Sequence, residues 1–338
     1  MATMKQVAER AGVSITSVSH VLNGTRFVSD EVRRRIEAAM SELSYVPSAV
    51  ARSLKHNVTH TLGIMIPNSG NPYFAELIRH IEDRCFAADY NVVLCNSDDD
   101  PYKQSVYLRV LMEKRVDGLI VVSSGDSPDL PALLSHCAVP LVLVDRQWDS
   151  LDGDIVTTDH RAGAYMAVRH LIELGHRRIA CITGPDHLAP SRLRAAGWRE
   201  ALDEAGLPAD LLFSSDFTSQ GGHDVTARLL AAPARPEAIF ACNDLMAIGA
   251  LCAAHEHGLS VPNDLSVVGF DDIELAAFTS PPLTTVAQPK RRIGELATDL
   301  LFERLRKVRT EPRKIALLPE LRQRGSTTKN TNSSQLPP

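Results

Sequence analysis

Read only for where apolar and polar positions fall, the chain changes texture near residue 47 and again near residue 61. Met4, Val7, Ala8 and Ala11 recur at helical spacing, Gly12-Val13-Ser14 breaks the pattern, and a second helix is expected over 15–22 before Asn23-Gly24-Thr25 ends it. A third is expected over 30–44, with Ser29 or Asp30 as N-cap and Val32, Ile36, Ala39, Met40 and Leu43 as its apolar stripe. Helix, tight turn, helix is the spacing of the helix-turn-helix unit. Pro47 marks a boundary. The segment 48–55 that follows spells a helix of at most eight residues, too short to hold alone in water and expected to order only against a partner.

From Thr61 onward, short runs rich in β-branched residues alternate with helical stretches. Strands are expected at 62–66, 91–95, 118–122, 141–144, 179–183, 238–242 and 266–270, with shorter ones at 155–156 and 211–213. Helices at 73–87, 161–174, 192–205 and 245–257 separate most of them. These strands are continuously apolar rather than alternating, which predicts parallel sheets covered on both faces. Residues 59–325 exceed one such sheet of ordinary size, so two lobes are expected. The plan is therefore an all-α headpiece at 1–46, a hinge helix and linker at 47–58, a two-lobed α/β domain at 59–325, and a polar tail at 326–338 expected to be disordered.

Composition narrows this picture. A chain 44% hydrophobic and 23% charged, without an apolar run of about 20 residues, predicts a soluble globular protein that does not span a membrane. The opening residues lack the apolar stretch of a signal peptide, so a cytoplasmic location is expected. The six cysteines include no C-x-x-C pair, and small buried hydrophobes in a reducing compartment is the expected reading. The net charge of −5 is unevenly placed: residues 1–60 carry eight Lys/Arg against five Asp/Glu, and the remainder carries 28 against 36. A basic head on an acidic body steers a polyanion such as DNA to one end.

On a helical wheel the second helix puts Val18, Val21 and Leu22 on one side and Thr16, Ser17 and His20 on roughly the other. Short hydroxyls and an imidazole at a helix start can hydrogen-bond base edges in a major groove; a solvated polar face on a structural bundle is the competing reading. The stretches Met4-Lys5-Gln6-Val7-Ala8-Glu9-Arg10-Ala11-Gly12-Val13-Ser14, Val18-Ser19-His20-Val21-Leu22-Asn23-Gly24 and Pro47-Ser48-Ala49-Val50-Ala51-Arg52-Ser53-Leu54-Lys55 resemble the headpiece and hinge of the lactose-repressor (LacI/GalR) family, and the likeness continues to about Arg324. That resemblance implies a dimeric transcription repressor. Its helix-turn-helix holds double-stranded operator DNA, and its periplasmic-binding-protein-like body binds a small effector between its lobes and carries the dimer contacts. Thr16, Ser17 and His20 match the base-reading positions, with Asn23 and Arg26 joining the DNA contacts. Leu54 matches the leucine that wedges into the central operator step from the minor groove, with Ala51 and Lys55 on the same hinge helix.

Ligands of such sheets sit beyond the carboxyl ends of strands. The polar and aromatic residues there are Asn71-Pro72-Tyr73-Phe74, Asp145-Arg146, Thr158-Asp159, Gly184-Pro185 leading to Arg192 and Arg194, Phe217, Asn243-Asp244 and Asp271-Asp272. Carboxylate, amide and guanidinium groups can each hold two sugar hydroxyls while an aromatic ring covers the sugar's apolar face. By the resemblance, Arg194, Asn243 and Asp271 match positions that hold sugar hydroxyls, Phe74 and Phe217 match aromatic walls, and Asp145 lines the cleft with Tyr73 and Arg146. An Asp or Asn after a strand can instead be a helix N-cap, and Tyr73 and Phe74 can be plain core.

Within the family, the runs 179–185, Arg192-Leu193-Arg194 and 269–276 resemble the ribose-operon branch, whereas Asp145-Arg146-Gln147-Trp148 departs from it. The base-reading arginine and threonine of purine-sensing members would fall at Leu188 and Pro190, neither of which can donate a side-chain hydrogen bond. Ribose is the expected effector. Another sugar, a purine or nucleoside, and a co-repressor mode stay open. No nucleotide-binding, hydrolase or metalloprotease motif appears, and the twelve histidines show no ligand spacing, so no enzyme, cofactor or metal is expected. A transport-type sugar-binding protein would suit the body but not the headpiece. The polar tail lacks an apolar heptad, which favours a dimer over a tetramer.

Overall fold

The structure is a computed structural model, and it describes residues 2–46, 58–122, 129–145, 151 and 153–330. The chain divides into two compact units, Met1–Thr59 and His60–Pro338. The expected hinge residues Ala51, Leu54 and Lys55 lie outside the described residues, as does Arg146.

Among the described residues the first unit has three helices: α1 (Met4–Ala11), α2 (Ile15–Asn23) and α3 (Asp30–Glu42). Thr3 caps α1 in a reciprocal box, its amide donating to Gln6 Oε1 at 2.8 Å and its hydroxyl accepting from the Gln6 amide at 3.3 Å. Gly12, at φ +64°, ends α1 in the left-handed region, and Ser14 opens α2 by accepting from the Ser17 amide at 3.0 Å. Ser29 occupies the N-cap of α3 without a side-chain cap bond. Val7, Ala8, Ala11, Val18, Ile36 and Ala39 form the buried core, with Val21, Leu22, Val32 and Met40 around it.

In the second unit the apolar runs become two six-stranded sheets. The first contains β1 (Thr61–Ile66), β2 (Asn91–Asn96), β3 (Gly118–Val122), β4 (Leu141–Val144) and β5 (Asp154–Thr158). The second contains β6 (Ile179–Thr183), β7 (Leu212–Ser214), β8 (Ala238–Ala241), β9 (Ser266–Asp271) and β10 (Thr284–Ala287). Two late strands complete them: β11 (Lys314–Leu317) adds to β5, and β12 (Glu320–Arg322) pairs antiparallel with β10. The order is β11-β5-β4-β3-β1-β2 in one sheet and β12-β10-β9-β8-β6-β7 in the other. Because Leu62, Ile64 and Ile66 feed one core while Met65 feeds another, β1 is buried on both faces, which is why its sequence does not alternate.

The connecting helices are α4 (Pro72–Phe86), α5 (Pro101–Glu113), α6 (Leu130–Ser135), α7 (His160–Glu173), α8 (Ala189–Glu204), α9 (Ser219–Ala231), α10 (Asp244–Glu256) and α11 (Lys290–Leu305). The chain crosses between sheets three times: from β5 to α7, from β10 to α11, and from β11 to β12.

The start of the expected disordered tail is instead packed. Ser326 is fully buried, donating to Val267 O at 2.6 Å and accepting from the Thr284 amide at 2.8 Å, and the Asn330 amide donates to Leu174 O at 2.8 Å. Polar composition misleads here because the hydroxyls serve as partners for backbone at the sheet margin. The expected reading of the cysteines also fails at two positions: Cys252 is exposed on α10 and Cys137 is half-buried, whereas Cys85, Cys95, Cys181 and Cys242 are buried. Among the described residues, no helix is long and apolar enough to cross a membrane.

Candidate functional site

On α2, Val18 is buried while Thr16 is exposed and Ser17 and His20 are half-buried on the other side. The Ser17 hydroxyl lies 2.9 Å from that of Ser14, His20 Nδ1 lies 2.7 Å from the Thr25 hydroxyl, and the Asn23 amide turns back to donate to Ser19 O at 2.8 Å. Arg26 is exposed beyond the helix end. The bonds that order Ser17, His20 and Asn23 are all local.

In the second unit a cleft of about 140 Å³ opens at the carboxyl ends of strands from both sheets, small beside the several hundred Å³ of pockets for drug-sized ligands. Tyr73, Phe74, Asp145, Arg194, Phe217, Asn243 and Asp271 all line it. So do Asn68, Asn71, Asp99, Pro185, Leu188, Pro190 and Asp216, several of which no strand-end reading singled out.

Asp145 follows β4 with its backbone at φ +53°, and Asp271 ends β9 at φ +114°. Non-glycine residues at such angles cost roughly 1–3 kcal/mol each and gather at functional sites. Both carboxylates are held. Asp145 accepts from the Tyr73 hydroxyl at 2.9 Å and the Thr158 amide at 3.0 Å, and faces His160 Nε2 at 3.2 Å. Asp271 accepts from Gln288 Nε2 at 2.7 Å and lies 3.6 Å from the Arg194 guanidinium. Arg194 also donates to Cys242 O, stacks on the Phe270 ring at 3.9 Å, and reaches His160 Nδ1 at 3.2 Å. Nδ1 thus faces Arg194, while Nε2, buried, stands within ion-pair distance of Asp145 without hydrogen-bond geometry.

Sequence reasoning missed Gln288 and His160, and they join the network. Gln288 Oε1 accepts from the Thr158 hydroxyl at 2.7 Å and lies 3.2 Å from the Tyr73 hydroxyl, whose one proton it shares with Asp145, while Nε2 holds Asp271, so one amide ties the first sheet's side of the cleft to the second's. Gln288 directly follows β10, a strand that was not among those expected, and His160 opens α7 two residues past β5. Asn243 caps α10 by accepting from the Met246 amide at 2.8 Å and donates to Phe217 O at 2.9 Å, so the N-cap reading and the cleft reading are both realised in one side chain. Arg192 turns away, donating to His187 O at 2.6 Å; Asp159 caps α7, and Asp244 is interior, accepting from the Ile273 amide at 2.8 Å.

Burial sets the charge states. Desolvation pushes the Tyr73 hydroxyl well up, helped by Asp145 and Asp271. Burial also raises Asp271, against the pull of Arg194, Gln288 and Lys290, to about 6. At Asp145 burial pushes upward too, but the charge of His160 and the bonds from Thr158 and Tyr73 outweigh it, so its carboxyl is lowered. Burial lowers His160, and Arg194 adds to that against Asp145. The floor of the cleft thus offers an ionised carboxylate, a guanidinium, an amide and a second carboxyl poised near neutrality.

Against known proteins, the family model for bacterial regulatory proteins of the lacI family matches residues 3–48, and that for a periplasmic binding protein-like domain matches residues 168–327. The chain is similar to the ribose operon repressor of Escherichia coli (strain K12), 45% identical over 331 residues that cover 96% of this chain and 100% of that one. It is also similar to the HTH-type transcriptional repressor PurR of Aliivibrio salmonicida, 43% identical over 332 residues covering 97% and 100%. Among solved structures it is similar to the lac repressor dimer bound to operator and the anti-inducer ONPF, with a TM-score of 0.88 at 31% identity, covering 97% of this chain and 99% of that one.

Proposed function

Because the chain belongs to the lacI family of bacterial regulatory proteins, we propose that it is the repressor of a sugar-catabolic operon, released from its operator when ribose enters the cleft. The observation that carries the sugar reading is the cleft wall. Leu188 and Pro190, both buried, present apolar surface where a purine would need a donor, while Arg194, Asn243 and Asp271 converge from three elements on one small space. Such groups suit a polyhydroxylated ring with a face left for Phe74 and Phe217. The likeness to the ribose operon repressor adds to this reading, and the comparable likeness to PurR keeps a purine as the second one.

The rest follows by the same reasoning. Two copies, paired through their bodies, present two headpieces to a near-palindromic operator, and linking them raises the effective concentration of the second for its half-site. Thr16, Ser17, His20, Asn23 and Arg26 face the DNA, and Ala51, Leu54 and Lys55 belong to the hinge that wedges the minor groove. Sugar draws the two sheets' lobes together and moves the paired hinges apart; a hinge helix this short melts without its mate. Coupling of this kind is typically about 1–3 kcal/mol. The test is calorimetric titration of the purified protein with ribose, a panel of other sugars, hypoxanthine and guanine. Binding of ribose alone is expected; binding of a purine with no response to any sugar would replace the effector reading while leaving the DNA reading intact.

A further inference from the structure

We propose that His223, Cys252 and Glu256 form a binding site for one divalent transition-metal ion, best matched by Zn²⁺, on the outer surface of the second sheet's lobe. The site lies at the opposite end of α10 from Asn243, roughly 20 Å along the axis to Glu256 at the usual helical rise. The cleft residues take no part in it.

Its construction starts from glycine. A Cβ on Gly249 of α10 would fall 2.0 Å from Ser219 O and 2.6 Å from the His223 amide, and one on Gly222 of α9 would fall 2.3 Å from Met246 O. Two helices that approach this closely carry the His223 ring across to the neighbouring helix. Cys252 and Glu256 stand four residues apart on α10, hence on one face, and meet it there. The three donor atoms all lie within 4.8 Å of one another. His223 Nε2 is 2.9 Å from Glu256 Oε2, and Cys252 Sγ is 3.6 Å from Glu256 Oε1. Bond lengths of about 2.0–2.3 Å in a tetrahedral zinc site place ligand atoms roughly 3.3–3.7 Å apart, within reach of small side-chain adjustments.

A further contact points the same way. His223 Nδ1 lies 3.0 Å from Asp224 Oδ1, and that oxygen is itself held by Gln220 Nε2 at 2.8 Å. A carboxylate behind the imidazole fixes the ring and aims Nε2 outward, the usual support of a metal-bound histidine. Binding requires the neutral imidazole and the Cys252 thiolate, so the metal displaces the thiol proton. One nitrogen, one sulfur and one carboxylate oxygen select zinc-like ions over Mg²⁺ or Ca²⁺, and three protein ligands leave a fourth position for water.

The test is titration of Co²⁺, then Zn²⁺, into the reduced, chelator-treated full-length protein. One equivalent of Co²⁺ is expected to bind with a sulfur-to-cobalt charge-transfer band that Zn²⁺ abolishes. The band should vanish in Cys252→Ser, and Co²⁺ affinity should fall at least tenfold in His223→Ala. Circular dichroism and metal-free melting of both variants establish that they fold. No charge-transfer band in the wild type, or a band that survives Cys252→Ser, would overturn the site.

Discussion

In the headpiece, the polar groups of α2 are tied to neighbours at most five residues away: Ser17 to Ser14, Asn23 to Ser19, His20 to Thr25. In the cleft, the polar groups are tied across the fold, Tyr73 to Gln288 over 215 residues and Arg194 to Cys242 over 48. The first set stands in or near water and is free to exchange water for base edges. The second set is buried, its hydrogen-bonding capacity largely used before any ligand arrives. A change in the headpiece face should therefore alter recognition and spare stability, whereas a change in the cleft should alter both.

Arg194→Ala tests that difference most severely. The substitution leaves Asp271, His160 and the Cys242 carbonyl without their partner in a site only a few per cent exposed. Removing one member of a buried charge pair costs about 3–5 kcal/mol, and denaturant unfolding of the variant should show a loss of that order. Calorimetry should show no sugar binding, and operator affinity measured where the variant is still folded should be unchanged. Wild-type stability would mean that the cleft network is ligand-serving only, and the contrast with the headpiece would collapse.

His20→Ala is the matching change on the other surface. If His20 reads a base edge, operator affinity should fall by about 1–3 kcal/mol. Stability should move by no more than about 0.5 kcal/mol, because only the bond to Thr25 is lost near the surface. A drop in melting temperature without a change in operator affinity would make that face structural instead.

The same contrast explains what could be read from the sequence. Helical spacing and the Gly12 and Ser14 punctuation set out the headpiece because every signal there is local. Strand ends located Asp145, Asn243 and Asp271 because a buried apolar run that stops at a polar residue is also local. Gln288 and His160 gave no such signal: β10 was not among the expected strands, and what both residues do depends on two chain crossings that only the folded topology brings together. β11 and β12 escaped for a related reason, being short, half-exposed edge strands paired with segments far away in sequence. The trio His223, Cys252 and Glu256 has no spacing motif because its ligands come from two helices.

Acidity offers a gentler test of the cleft. With its carboxyl raised to about 6, Asp271 is ionised at pH 7 and largely protonated at pH 5. If the carboxylate accepts sugar hydroxyls, affinity should be flat above pH 7 and about tenfold weaker at pH 5, one unit below that value. Stability should move oppositely. A carboxyl whose folded pKa lies above its unfolded one favours folding most at low pH and loses that contribution as pH rises from about 4 to 6. Asp271→Asn should flatten the affinity profile and reduce the stability slope, the rest of which comes from Asp244, also raised by burial. A sugar affinity independent of pH across this range would take the carboxylate out of the binding reading.

The smallest expected effect lies where the two kinds of polar group meet in one residue. Ser14 both caps α2, through the Ser17 amide at 3.0 Å, and touches the Ser17 hydroxyl at 2.9 Å. Ser14→Ala removes the cap at about 1 kcal/mol, which thermal unfolding of the headpiece should register. It also frees the Ser17 hydroxyl. If Ser17 must leave Ser14 to reach a base, operator affinity should stay level or rise slightly despite the weaker helix, since the release has already happened. If Ser14 instead holds Ser17 in its reading position, affinity should fall by more than the cap alone explains. In that case the headpiece face would be preorganised as the cleft is, over a shorter range, and the two surfaces would differ in exposure rather than in principle.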